Sequence, residues 1–171
     1  MAYVPHTPHL GIPPIAATLP ASTAAGRSTP GPWLGDIIRA QDPNYGTGEF
    51  IYLKGAASTV VGSWVTYNPD DWSTTLLVAN AIGPVAVAMS ANVANQYGWY
   101  QIQGKAIGQV LAGFVDDANV YATATPGSVD DAVVAGDRVK NAKGASAIGT
   151  PSAGLAEFEI ARPFMDDGLA A

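Results

Sequence analysis

Nowhere beyond Glu49 does this chain hold a helical period for long; it is cut instead into short β-prone runs separated by turn residues. EFIYLK (49–54), STVVGSWVTY (58–67), TTLLVA (74–79), PVAVAM (84–89), GWYQIQ (98–103), KAIGQVLA (105–112), NVYAT (119–123) and LAEFEIARPF (155–164) all read as strands. Between them, Asn68-Pro69-Asp70-Asp71, Pro126-Gly127, Gly136-Asp137 and Lys143-Gly144 supply turns through fixed or positive φ. Only SANVANQ (90–96) has the makings of a short helix. In LAEFEIARPF, alternation sets Leu155, Glu157 and Glu159 on one face and Ala156, Phe158 and Ile160 on the other, as in a strand with one wet face. The spacing predicts an all-β domain of about eight strands, a compact barrel or sandwich.

The first 47 residues obey another rule. Pro5, Pro8, Pro13, Pro14, Pro20, Pro30 and Pro32 remove backbone donors and push their predecessors toward extended conformations, which excludes a packed helix or a central strand. A solvated linker is normally charged and poor in large apolar groups, yet Tyr3, Val4, Leu10, Ile12, Ile15, Leu19 and Trp33 punctuate this one. The pattern suggests an extended arm, residues 1–47, that lies on something, ahead of a β domain at 48–171; a tail with incidental apolar residues is the alternative. Since every predicted strand lies beyond residue 48, deleting residues 2–32 is expected to leave the β domain folded.

Charge narrows the partners. A net charge of −6, with eight Lys and Arg scattered along the chain, argues against a phosphate-neutralising surface and so against nucleic acid. The charged fraction of 13% is about half the usual level, which predicts a partly covered surface. With no cysteine, neither a disulfide framework nor a thiolate zinc site can form. The first charge is Arg27, so no basic secretory leader is expected. The uncharged run from Trp72 to Gly104 is interrupted by Gly83-Pro84 and by Asn, Ser and Gln, and reads as strands rather than a membrane span.

Candidate chemistry is sparse. His6 and His9 lie in the arm with Pro8 between them, where nothing makes them converge on a metal or nucleophile. A Ser-His-acid triad would have to borrow its base from the arm. Four Asp-Asp pairs remain, at 70–71, 116–117, 130–131 and 166–167. Adjacent residues of an extended segment face opposite ways, so each pair offers one carboxylate to any one site, and turn roles are favoured over calcium or acid-base work. No cofactor, metal or catalytic residue is expected. In YGWYQIQ (97–103), alternation sends Trp99 and Gln101 one way and Tyr100 and Ile102 the other. Aromatic residues on both faces point to a strand covered on both sides rather than to a ligand platform.

The succession EFIYLKGAAST, GPVAVAMS, YGWYQIQGKA, DDANVYAT, PGSVDDAVVAGDRVKNAKGASAIGT and LAEFEIARPF resembles the small β-barrel head decoration, or capsid cement, proteins of tailed bacteriophages over about residues 48–165. Those proteins show a GPVAVAMS-like strand, a GWYQIQG-like strand and an aGDrV-type hairpin before the last strand; the arm is not part of the pattern. The resemblance implies a non-enzymatic virion protein, a jelly-roll or tulip-like barrel, on the outer surface of the capsid. It further implies a homo-oligomer, a trimer in preference to a dimer, that bridges neighbouring major capsid subunits. Tyr3, Leu10, Ile12, Ile15, Leu19, Trp33, Leu34 and Trp72 are then the candidate capsid or subunit interface. Two rivals stay open: a carbohydrate- or receptor-binding module of a viral head fibre displaying Trp64, Trp72 and Trp99, and a hydrolase in which two Asp-Asp segments converge.

Overall fold

The computed structural model describes residues 4–5, 15–20 and 32–165, and among these are twelve strands and no helix. In chain order they are β1 (Val4–Pro5), β2 (Thr18–Pro20), β3 (Ile37–Asp42), β4 (Gly46–Lys54), β5 (Trp64–Tyr67) and β6 (Thr74–Leu76). There follow β7 (Val85–Ala88), β8 (Gln96–Gln109), β9 (Asn119–Ala122), β10 (Val129–Asp130), β11 (Arg138–Gly144) and β12 (Leu155–Met165). The ladders are antiparallel, and the main path runs β1-β3-β4-β8-β12-β11-β9-β10, with β7, β5 and β6 branching from β8. The sheet curls strongly into a half-barrel. Single bonds from Ala79 N to Thr123 O, Gly127 N to Leu77 O and Trp64 N to Gly127 O reach across its open side.

β8 organises the whole. The sequence pattern predicts two strands divided at Gly104; the structure has one strand of fourteen residues. Gly104 bends it without ending it: its φ is +100°, and a Cβ there would sit 2.5 Å from Thr47 O. The buried amide of Gln101 holds the bend, with Nε2 donating to Gln103 O and Lys105 O at 3.1 Å each. On one side of β8 lies β4; on the other, β2, β7 and β12 take successive stretches of the edge.

Three apolar clusters form the interior. One joins Trp64, Phe114 and Phe158 to the valines of β7, β9, β10 and β11, with the Trp64 and Phe158 rings edge-on at 4.9 Å. The second sets Ile38, Ala40, Phe50, Tyr52 and Trp99 on one face of β3-β4-β8. The third puts Ile51, Leu53, Tyr100 and Ile102 on the opposite face, against Val65, Ala86 and Ala88. Both faces of β4-β8 are thus covered, as the paired aromatics of 97–103 predict. Each large side chain so buried contributes about 1.5–3 kcal/mol.

Three expectations change. β3 lies within the segment assigned to the arm, and pairs with β4 through a turn in which Asp42 Oδ1 accepts from Asn44 N and Tyr45 N at 2.8 and 3.2 Å. Residues 37–47 therefore belong to the sheet, and the boundary drawn at 47/48 cuts a hairpin. SANVANQ forms no helix: Asn92 turns inward to accept from Ser90 Oγ at 2.9 Å, and Asn95 takes φ 62° to start β8. Lastly, Arg138–Gly144, absent from the predicted strands and ending at the predicted Lys143-Gly144 turn, is strand β11.

Candidate functional site

The arm's described pieces are strands laid on the domain's own edges. β1 pairs with β3 (Val4↔Gln41, Pro5↔Ala40), and β2 pairs with β8 (Thr18↔Gly98, Leu19↔Tyr97, Pro20↔Gln96). The two pieces pair with opposite sides of the β3-β4-β8 layer. Ile15 drops into the face they bracket, 3% exposed in the cluster of Phe50, Tyr52 and Trp99. Ser90 Oγ donates to Ala17 O at 3.3 Å, and Pro20, lacking an N–H, ends the ladder at Gln96. An extended segment with one apolar anchor and a short run of main-chain pairing is the mode of peptide recognition by strand addition.

The predicted interface residues divide. Tyr3, Leu10 and Ile12 lie outside the described residues, as does the side chain of Leu19, whose backbone sits opposite Tyr97. Ile15 belongs to the domain's own core, and Leu34 is half-buried against the same cluster. Trp72 has φ 58° and packs against the third cluster, its ring so close over Gly35 that a Cβ there would lie 2.5 Å away. Trp33 alone of the named tryptophans projects, 60% exposed, on a turn closed by Asp36 Oδ2 accepting from Trp33 N at 2.6 Å. Trp64 and Trp99, two of the three proposed sugar platforms, are fully buried.

The described acid pairs are spent on local structure. Asp71 Oδ1 accepts from Ser73 N and Oγ at 3.0 and 2.7 Å, and these bonds hold its carboxyl below the usual range. Asp116 Oδ1 and Asp130 Oδ1 accept from the amides of Asp117 and Asp131. Asp131 Oδ2 accepts from Val115 N at 3.0 Å, so the 116–117 and 130–131 loops do meet, through a bond from the main chain of one to a side chain of the other. Asp166 and Asp167 lie outside the described residues. No group of three or more His, Asp or Glu suited to a metal ion occurs among the described residues. No family model, curated protein or solved structure matches the chain. The likeness to cement proteins therefore rests on the quoted motifs alone.

The most constrained ionic site is Glu49, whose side chain is 7% exposed. Arg162 Nη2 meets its Oε2 at 2.8 Å, while Arg39 Nε and Nη2 meet its Oε1 at 2.9 and 2.8 Å. The bond from Arg162, then that from Arg39, outweighs burial and lowers the carboxyl's pKa, so this charge ties β3, β4 and β12 together. Burial, reinforced by neighbouring Tyr97, pushes the Tyr52 hydroxyl up to about 12. Burial also raises the Tyr100 hydroxyl, with neighbouring Thr74, Asn92 and Thr59 opposing it.

Sequence reasoning missed an apolar patch of Ile82 and Phe164, 70% and 46% exposed. Pro84 bridges Phe164, Met165 N donates to Gly83 O at 3.0 Å, and Tyr67, Ile82 and Pro84 line a neighbouring depression of about 330 Å³. Strict alternation along β12 would bury Phe164. It emerges because Arg162, at φ 51°, shifts the phase by one residue. Nothing in ARPF announces that shift.

Proposed function

We propose that this chain is a structural virion protein, a head decoration or cement protein that binds the outer surface of a tailed-phage capsid, self-associates, and bridges neighbouring major capsid subunits. The observation that carries the reading is the arm: its described pieces act by strand addition and a buried apolar anchor, the grip expected of a protein that fastens surfaces together. The motif resemblance supplies the virion context and the jelly-roll or tulip-like form of the barrel. Exposed Trp33, Ile82 and Phe164 are the side chains offered to the shell. Burial of Trp64 and Trp99 weighs against the carbohydrate-binding alternative, which keeps Trp72 and gains Trp33.

Purified protein mixed with heads assembled from the major capsid protein of the same virus should sediment with them at a fixed copy number per capsid subunit. Chain that stays in the supernatant across micromolar concentrations overturns the reading. Saturable binding to a glycan array in its place would install the alternative.

A further inference from the structure

We propose that the wet face of β11-β12 around Phe164 is the surface that meets the shell, and that it takes an acidic polypeptide segment carrying an apolar side chain. The inference rests on the reading of the chain as a capsid-binding protein, and it names the face and the chemistry of the contact.

Half of the chain's eight Lys and Arg stand on this one face: Arg138, Lys140 and Lys143 on β11 and Arg162 on β12. Matched irregularities put them there. Asn141, at φ 60°, adds an exposed residue to β11, and Arg162, at φ 51°, adds one to β12, where the register between the strands shifts. Counted from Arg138, strict alternation would turn Lys143 inward; counted from Glu159, it would turn Arg162 and Phe164 inward. The two shifts thus deliver two cations and an aromatic ring to the wet side, which is how bulges re-aim side chains.

Lys140 lies opposite Phe164 across the ladder, and Pro84 bridges Phe164 on its other side. The Arg162 side chain stays 61% exposed while it bonds Glu49, and Arg138 Nη2 donates to a neutral partner, Asn119 Oδ1, at 3.0 Å. Residues 138–142 and 160–165 contain no acid, and Glu159 lies opposite Lys143, toward the far end of the face. Ile82 and Phe164 are therefore an apolar centre with a cationic border. The border selects carboxylates, and the centre needs an apolar side chain to keep water from them. Nucleic acid would find only these few cations on a body of net charge −6. A second copy presenting the same face would set cations against cations. An acidic segment of another protein satisfies both parts.

Heads assembled from the major capsid protein of the same virus are the probe, mixed with the full chain and sedimented over a range of salt. Binding of the parent chain should weaken as salt rises, and R138E/K140E should bind about tenfold or more weakly. Phe164→Ala, which removes the apolar centre and no charge, should bind less tightly by a similar factor with the parent's salt response. Lys54→Glu, a reversal on β4, should bind as the parent does. A chain ending at Met165 should bind no more weakly, which separates the cations of the face from the acids at 166–167. Urea melts and sedimentation velocity without heads show first that each variant is folded and associates as the parent does. A parent chain that binds heads while R138E/K140E and Phe164→Ala bind equally well overturns this proposal and leaves the capsid reading standing. So does a variant that loses self-association and keeps its heads, which would make the face a contact between copies. A parent chain that stays in the supernatant overturns the capsid reading and this inference with it.

Discussion

The β4-β8 layer and the β11-β12 ladder are both antiparallel, yet they are built on opposite terms. Along β12, Glu157 and Glu159 lie opposite Phe158 and Ile160, so one face is wet and the ladder needs no further cover. It also accommodates irregularity, with Asn141 and Arg162 at φ 60° and 51° where the register shifts. β4 and β8 carry Phe50, Tyr52 and Trp99 on one face and Ile51, Tyr100 and Ile102 on the other. A layer apolar on both faces must be covered twice. The second cover includes Ile15, which the chain supplies from a segment seventeen residues before Pro32. The difference is that the arm is part of what makes the β4-β8 layer stable, beyond any part in attachment.

The largest expected effect breaks that comparison outright. Deleting residues 2–32 removes Ile15 and β2, uncovering the Tyr52-Trp99 face and the end of β8. This reverses the expectation, drawn from strand positions alone, that the domain would be indifferent. The loss should be on the order of 5 kcal/mol, a large share of a typical domain's stability, read as a lowered urea midpoint with dye binding to the exposed aromatic face. An unchanged midpoint would mean that the layer is complete without its arm.

Ile15→Ala sharpens the comparison at one side chain. Truncation in a packed cluster costs about 2–5 kcal/mol, whereas Phe164→Ala, on the half-exposed ladder, should change unfolding by less than about 1 kcal/mol. Equal effects in urea melts would place Ile15 outside the core.

The smallest effect is electrostatic and depends on pH. Glu49 has its folded pKa lowered by Arg162 and Arg39, so its contribution is complete above the ordinary carboxylate range. It is lost as pH falls through the lowered value. Glu49→Gln should cost about 1.5–3 kcal/mol at pH 7 and narrow its gap to the parent chain in acid. Lys143→Ala, at an exposed pair with Asp117, should move stability by less than about 0.5 kcal/mol at any pH. A Glu49→Gln gap that stays constant down to pH 3 would show that the two arginines do not act through charge.

Most of the β-rich half was legible because period-two alternation and turn chemistry are local. The inward and outward sets of β12 from Leu155 to Ile160, and the two covered faces of 97–103, follow from side-chain direction alone. β3 was hidden because prolines upstream drew the arm too far, although Asp42-Pro43-Asn44 is a turn between two alternating runs. The exposed patch was not legible at all. Arg162 takes positive φ where the β11-β12 register shifts and bonds Glu49, 113 residues away, and no local pattern encodes either.

β8 also sets how the molecule bears force. It is bonded along one side to β4 and along the other to β2, β7 and β12 in turn, so tension parallel to it loads many bonds at once, in shear. β2 holds by three pairs at one end of the same strand, and a pull on the arm unzips them one after another. Under load the strap yields well before the half-barrel. Stretched between two anchored ends, the chain should release its arm as a small early extension and rupture the β4-β8-β12 layer only at much higher force, so that strain is absorbed in the tether while the folded body survives.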